Sequence, residues 1–283
     1  MCSYPKISVI TPSYNQAGFI EETIKSVLVQ DYPHLEYIII DGGSTDGTTG
    51  IIEKYREHLF YSVSEKDKGQ ADAINKGFKV ATGDIICWLN SDDIFEPNAL
   101  KTVSESYQET KADFIYGDGW LFGQGVRLHN KYATVKPGIV TKDILKYCDP
   151  LHQPSTFWTR AVLDEVGFLD ENLHYVLDWE FFIRISQKFK LVYVPFPFSG
   201  YRIHQDCKTE SGNLKRSAEI IDIIQKYASE DWIKLYLDLE PYCTELLEMK
   251  KSWKRFYIPF FLKHPRLLLN YDFQNLKVAT GML

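Results

Sequence analysis

Cysteine is scarce and unpaired in this 283-residue chain. Cys2, Cys87, Cys148, Cys207 and Cys243 form an odd set with no Cys-x-x-Cys spacing. Nothing there supports a disulfide framework, and reduced thiols in a cytosolic chain are the simplest account. Positive charge is not in excess either. A net charge of −6 gives no electrostatic argument for a nucleic-acid partner. The segment Met1-Cys2-Ser3-Tyr4-Pro5-Lys6 enters a strand without the apolar core of a signal peptide, so the reading is cytoplasmic. The stretch Tyr257 to Leu262 is far too short for the roughly 20 residues of a bilayer-spanning helix. There is no internal repeat or low-complexity tract. A Gly-x-x-x-x-Gly-Lys-Ser/Thr loop, a His-Glu-x-x-His helix and a Gly-x-Ser-x-Gly elbow are all missing, which argues against P-loop phosphoryl transfer, zinc proteolysis and serine hydrolysis. What remains, with 45% apolar and 25% charged residues, is a folded chain long enough for a sizeable core.

The most informative segment is Asp84-Ile85-Ile86-Cys87-Trp88-Leu89, an apolar run that ends in Asn90-Ser91-Asp92-Asp93. A buried strand needs apolar side chains on both faces, so the oxygen-bearing residues just beyond Leu89 belong at its carboxyl end, where open α/β sheets bind ligands. Adjacent carboxylates repel unless a cation compensates them. The competing reading is a plain Asn-Ser-Asp-Asp turn.

The surrounding pattern favours the ligand site. Ile7–Ile10 and Tyr37–Ile40 read as strands. Helical spacing follows each of them: Ile20, Ile24, Val27 and Leu28 share one face, and a second helix runs from about Thr48 to Arg56. A third helix, Gly69 to Val80, precedes the strand ending at Leu89. Successive β-α units predict a parallel sheet, because parallel strands need crossovers and helices supply them. The loops after Ile10, Ile40 and Leu89 then converge on one rim. Residues 113–136 suit short strands and turns, a helix ends near Gly167, and Trp179 to Phe189 reads as another helix. Leu191–Pro195 returns to strand, and 214–257 is mostly helical. The expected division is a domain over 1–213 and a helical region over 214–283.

Several short segments, in this order and spacing, resemble the inverting family-2 glycosyltransferases. They are Thr11-Pro12-Ser13-Tyr14-Asn15, Asp41-Gly42-Gly43-Ser44-Thr45-Asp46-Gly47, Asp67-Lys68-Gly69-Gln70-Ala71-Asp72-Ala73-Ile74-Asn75, Asn90-Ser91-Asp92-Asp93, His152-Gln153-Pro154-Ser155-Thr156-Phe157, Asp178-Trp179-Glu180 and Tyr201-Arg202-Ile203-His204. The resemblance spans roughly residues 7–209. It implies an α/β fold of the GT-A type, a mostly parallel nucleotide-binding sheet flanked by helices. It also implies transfer of a sugar from a nucleoside diphosphate, UDP by preference, to a hydroxyl of a glycan or lipid-linked acceptor.

Specific expectations follow from that resemblance. Thr11, Pro12 and Tyr14 would line the nucleotide, and Asp41 would accept a hydrogen bond from the base, its alternative being an Asx turn. Lys68 and Gly69, before a helix, would face phosphate, and Asp72 would border the donor pocket or simply complement the helix dipole. Asn90-Ser91-Asp92 stands where the family carries Asp-x-Asp. With an amide in first place, Asn90 and Ser91 become nucleotide contacts, Asp92 the principal ligand of Mn²⁺ or Mg²⁺, and Asp93 its support. His204 would complete the metal shell. Asp178 would be the general base; the family's preceding glutamate is Leu177 here, so Glu180 is kept as a substitute. His152, Gln153 and Glu180 would lie on the acceptor side. A non-catalytic nucleotide-sugar or glycan binding module of the same fold is the rival reading.

The end of the chain carries Lys250, Lys251, Lys254, Arg255, Lys263 and Arg266 among Trp253, Phe256, Tyr257, Phe260 and Phe261. That mixture over 250–283 suits peripheral contact with the inner face of an anionic membrane. Its alternative is a terminal helix packed on the core.

Overall fold

The computed structural model describes residues 4–123, 130–132, 140–205, 208, 214–251, 260–261 and 263–282. The chain divides into two compact units, one of residues 1–141 and 150–204, the other of 142–149 and 205–283. The boundary expected near Asn213 lies outside the described residues.

In the first unit, β1 (Ile7–Ser13), α1 (Ile20–Leu28), β2 (Leu35–Asp41), α2 (Thr48–Lys54), β3 (Tyr61–Ser64), α3 (Gln70–Val80) and β4 (Ile85–Trp88) follow in turn. They are succeeded by β5 (Ile94–Phe95), α4 (Ala99–Thr110), β6 (Phe114–Gly123) and β7 (Asn130–Tyr132). The four-residue helix α5 (Lys142–Leu145) belongs to the second unit. The first unit resumes with β8 (Thr156–Thr159), α6 (Arg160–Val166), α7 (Leu177–Lys188) and β9 (Leu191–Ile203). The sheet runs β3-β2-β1-β4-β8-β6-β9-β5, with β7 beside β6. Its first four strands are parallel, as the β-α succession predicts, while β8 runs antiparallel to β4 and β6.

Strand alternation distributes the core on two sides. Ile7, Val9, Tyr37, Ile39, Ile85, Cys87 and Leu89 share a core with Ile20, Ile24 and Val27 of α1 and with Leu100 and Val103 of α4. The alternate residues build an aromatic block. Trp88 meets Trp158 of β8 edge-on at 5.3 Å, lies 6.1 Å from Phe78 of α3 and stacks on Phe182 of α7 at 6.4 Å. One ring cluster therefore fixes α3, β4 and α7 together. Close approach of α3 to β1 depends on Gly77, where a Cβ would fall 2.4 Å from Cγ2 of Ile10.

Several elements depart from the sequence expectation, the short β5 and α5 among them. β3, α4 and β8 are not evident in the pattern, and β9 continues eight residues past Pro195 to Ile203. Proline is compatible here because β9 shifts register against β6 around Asp118 and Pro197, and its first residues are paired on one side only.

In the second unit the stretch expected to be mostly helical contains α8 (Leu214–Tyr227), α9 (Glu230–Leu239) and α10 (Cys243–Lys251), with Ser229 at the N-cap position of α9 and Pro241 in a 3₁₀ turn before α10. Trp232 of α9 stacks on Tyr147 at 3.9 Å, and the Tyr236 hydroxyl donates to the Tyr147 carbonyl. Phe260 and Phe261 are buried, and Lys263 pairs with Glu245 at 2.7 Å. The aromatic face expected to meet a membrane thus loses those two rings to packing; Trp253, Lys254, Arg255, Phe256 and Tyr257 lie outside the described residues. Among the described residues no helix is long and apolar enough to cross a membrane.

Gly77→Ala is expected to lower stability, since an overpacking cost of about 1–3 kcal/mol exceeds the gain in helix propensity of about 1 kcal/mol. A fall in the urea unfolding midpoint is the measurement; an unchanged or raised midpoint would mean that β1 and α3 are not held at this separation.

Candidate functional site: the acidic loop at the sheet rim

The loop between β4 and β5 is tied down from two sides. From α1, the Thr23 hydroxyl reaches the Ser91 carbonyl at 2.9 Å and the Asp93 carbonyl at 2.7 Å. Thr23 is completely buried in the middle of a helix, a position where threonine has no propensity advantage. From β9, Arg202 donates its backbone N–H to Asp93 Oδ1 at 2.9 Å and its Nε to the Asp92 carbonyl at 2.7 Å. The guanidinium also pairs with Glu22 at 2.6 Å and lies over the rings of Phe122 and Phe19, at 4.4 and 5.1 Å. Loop backbone held this way leaves one carboxylate, that of Asp92, projecting toward His204, with Oδ2 3.0 Å from Nε2.

Asp93 is spent inside the protein. It is buried, and Oδ2 also receives the Asn90 amide at 3.4 Å. Burial and then the charge of Asp92 raise its carboxyl well above the usual carboxylate range. It supports the loop.

Asn90 is oriented on both sides of its amide. Its Oδ1 accepts from Gln70 at 2.8 Å, and its Nδ2 donates to Gln153 Oε1 at 3.2 Å as well as to Asp93. Gln153 in turn donates to the Trp88 carbonyl at 3.0 Å. A carboxylate at position 90 would set like charge against Asp93 and oppose the Gln153 oxygen, so this network accounts for the amide.

Asp92 and His204 supply a carboxylate oxygen and an imidazole nitrogen, a donor pair acceptable to Mn²⁺. Their side chains are 23% and 7% exposed, so Asp92 is the more accessible. Among the described residues no third His, Cys, Asp or Glu joins them; a cation here would complete its shell with substrate oxygens and water, as Mg²⁺ and Mn²⁺ sites on phosphates do.

The remaining expected residues fall into two groups. Thr11 and Pro12 end β1, and Tyr14 stands 61% exposed at the rim. Gly69 caps α3 with φ +129°, a conformation that favours glycine. Lys68 is exposed, 3.5 Å from Glu171. Ser91 is buried and acts through its carbonyl. Asp178 is the second residue of α7, and its Oδ1 accepts the Trp179 N–H at 2.8 Å.

The other group turns inward. Asp72 accepts from the Lys68 N–H at 3.0 Å, closing the first turn of α3. Asp41 is fully buried, its carboxylate taking the N–H groups of Gly43 and Ser44 and the hydroxyls of Ser44 and Ser64, an Asx-turn arrangement in which Oδ1 takes only the Ser44 hydroxyl. Glu180 is buried in an ion pair with Arg184 at 2.8 Å. His152 is packed so closely that a Cβ on Gly119 would lie 2.1 Å from its ring, and burial lowers its imidazole to about 4, leaving it neutral near pH 7. Sequence reasoning named no role for Arg202, Thr23, Gln70 or Asp67. Arg202 and Asp67 lie inside the motif segments, which is a usable signal; a lone threonine in an amphipathic helix gives none.

A β-α-β sheet with its parallel strand tips gathered under an acid-bearing loop defines a GT-A type fold, and known proteins agree. Residues 8–167 match the family described as glycosyl transferase family 2. The chain belongs to that family. A protein provisionally named the teichuronic acid biosynthesis glycosyltransferase TuaG, from Bacillus subtilis, is 37% identical over 147 residues, covering 50% of this chain and 58% of the relative. An uncharacterised glycosyltransferase of Nostoc sp. is 36% identical, covering 58% of this chain and 54% of the relative. The chain thus spans just over half the length of these relatives. The crystal structure of S. aureus TarS 1-349 in complex with UDP-GlcNAc superposes with a TM-score of 0.65 at 21% identity, covering 84% of this chain and 72% of that one. The mannosyltransferase PcManGT of Pyrobaculum calidifontis, in complex with GDP-Man and Mn²⁺, gives 0.63 at 17% identity, covering 99% and 85%.

Thr23→Val, nearly isosteric, removes the one hydroxyl proton shared between the Ser91 and Asp93 carbonyls and is expected to cost about 1–3 kcal/mol in urea unfolding. Thr23→Ser, which keeps the hydroxyl, should lose much less; equal losses would show that the methyl group, and not the hydrogen bonds, matters.

Proposed function

We propose that the chain moves a sugar from a UDP-linked donor to a hydroxyl of a glycan or lipid-linked acceptor, with inversion at the anomeric carbon. The observation that carries this reading is the loop at the rim: its backbone is restrained by Thr23 and Arg202 while the Asp92 carboxylate stays accessible beside His204. The names of the similar proteins support it. One is provisionally assigned to teichuronic acid synthesis, and one of similar fold is described with UDP-GlcNAc. On this reading the reaction takes place at the cytoplasmic face of the membrane, with 250–283 as the segment that would contact lipid.

Asp92 and His204 would hold Mn²⁺ or Mg²⁺, which when bound offsets the negative charge of the departing diphosphate. The residues of the chain do the rest. Thr11, Pro12 and the exposed Tyr14 line the nucleotide. The N-terminus of α3, opened by Gly69 and flanked by Lys68, presents the positive end of its dipole to anionic oxygen. Asn90, its amide fixed by Gln70 and Gln153, offers a preset hydrogen-bonding edge to the donor. Asp178, half-buried in the first turn of α7, accepts the proton of the acceptor hydroxyl as that oxygen attacks the anomeric carbon from the side opposite phosphate. Glu180 is held in an ion pair with Arg184, and Asp178 is the residue assigned as the base.

Incubation of the chain with UDP-sugars, Mn²⁺ and glycan acceptors should release UDP and give a product of inverted anomeric configuration by NMR. No release from any donor would favour the binding-module reading. Asp178→Asn is expected to lower turnover by about 10²–10⁴-fold while donor binding stays within about twofold; undiminished turnover would remove Asp178 from the chemistry. Asp92→Asn should instead weaken Mn²⁺ binding measured directly by EPR, and unaltered binding would move the metal elsewhere.

A further inference from the structure

Asn75 is buried in the second turn of α3, the helix whose opening carries Lys68 and Gly69. A buried amide has to place an acceptor and two N–H donors at once. It places them on one residue of a distant segment. Oδ1 accepts the Leu169 N–H at 3.0 Å, and Nδ2 donates to the Leu169 carbonyl, also at 3.0 Å. The side chain thus pairs with Leu169 as a neighbouring strand would. Nδ2 also reaches Glu171 Oε1 at 3.4 Å. Leu169 is itself buried, so a side chain that met only one of its two backbone groups would leave the other at a cost.

Leu169 belongs to the segment 167–176, which joins α6 to α7 and ends two residues before Asp178. The same segment is gripped from α7. Arg184 donates to the Val166 and Phe168 carbonyls, the latter at 2.8 Å. Phe168 packs on Phe78 of α3, with ring centroids 6.2 Å apart. The segment is therefore a splice between two helices, held by Asn75 on one side and by Arg184 on the other.

On its own side, the start of α3 is already rigid. The Gly69 N–H donates to Asp67 Oδ1 at 2.9 Å and the Lys68 N–H to Asp72 Oδ2 at 3.0 Å. A further tie from this helix to the segment, Lys68 to Glu171 at 3.5 Å, has a lysine side chain 79% exposed, and such pairs contribute little. The buried amide carries the join.

We propose that Asn75 is a positioning residue for sugar transfer: it holds the segment that leads into α7, so that Asp178 stands at a fixed span from the anion-facing start of α3. The inference rests on the function proposed above. Asn75 acts through Leu169 and touches no substrate. A displacement of about 1 Å in a reacting group can cost on the order of 10²-fold in rate. The groups on α3 that meet the donor keep their geometry without Asn75, so the loss belongs in kcat and not in donor affinity.

Two variants separate this role from a contribution to folding alone. Asn75→Ala removes both hydrogen bonds to Leu169. In Asn75→Asp one oxygen keeps the Leu169 N–H, and the other meets the Leu169 carbonyl with Glu171, itself paired with Lys68, on the same edge. Ionised, that oxygen adds an acceptor among acceptors. Protonated, it donates and restores the bond, and burial with the Glu171 charge favours the protonated form. The aspartate variant should therefore regain function as pH falls.

Turnover is followed as UDP release, with Mn²⁺, from the donor and acceptor that the wild-type chain uses. UDP affinity is measured by calorimetry, and circular dichroism checks folding at each pH. Asn75→Ala should lower kcat by about 10–100-fold at every pH, with UDP affinity within about twofold of wild type. Asn75→Asp should match it near pH 8 and recover about fivefold or more, relative to wild type, near pH 5.5. If the alanine variant does not fold, the aspartate variant at low pH carries the test. Unchanged kcat in folded variants overturns the positioning role and leaves the transfer reading intact. A parallel loss of kcat and UDP affinity, or an aspartate-to-wild-type ratio flat with pH, overturns it as well. A wild-type chain that releases no UDP from any donor overturns the transfer reading and this inference together.

Discussion

A threonine hydroxyl and an arginine side chain, acting on backbone carbonyls, are what the acidic loop depends on. Two adjacent aspartates at a strand tip have no reason to adopt different roles unless the main chain between them is fixed. Thr23 and Arg202 fix it, and the result is asymmetric: Asp93 turns into the protein and Asp92 turns out beside His204. Arg202 can do this because Glu22 and the rings of Phe19 and Phe122 already hold its guanidinium, so little further entropy is lost when it binds the loop. Donors aimed at carbonyls restrain the backbone without using up the carboxylate.

The amide at position 90 belongs to the same economy of charge. With Asp93 buried and its carboxyl raised by burial and by Asp92, a third carboxylate within 3.4 Å would be costly. Asn90 keeps the hydrogen-bonding shape at that position and removes the charge. Gln70 and Gln153, from α3 and from the turn before β8, then determine which edge of the amide faces outward.

The parallel half of the fold was legible because its strands are buried on both faces and so appear as uninterrupted apolar runs: Ile7–Ile10, Tyr37–Ile40 and Ile85–Leu89. β3 escapes that reading, since Tyr61–Ser64 is a half-exposed edge strand with a mixed sequence, and α4 is obscured by the polar run that covers its outer face. Within the site, the residue types were readable and their commitments were not. Asp41, Glu180 and Gln153 have the chemistry of binding residues, yet each is engaged by a partner that the motif does not reveal: Ser64 for Asp41, Arg184 for Glu180, Asn90 for Gln153. Motif spacing locates a rim; only packing decides which polar atoms on it are left for a ligand.

The ring cluster of Trp88, Phe78, Trp158, Phe181 and Phe182 has a mechanical consequence. It lies directly under the β4 tip and against the opening turns of α7, so Asn90 and Asp178 are mounted on one stiff bearing. On the proposed function, the spacing between Asn90 beside the donor and Asp178 beside the acceptor hydroxyl would then be set by interlocked indoles and phenyl rings. On that proposal, loops around the rim could be recut for different sugars and acceptors without recalibrating the span over which the bond is exchanged.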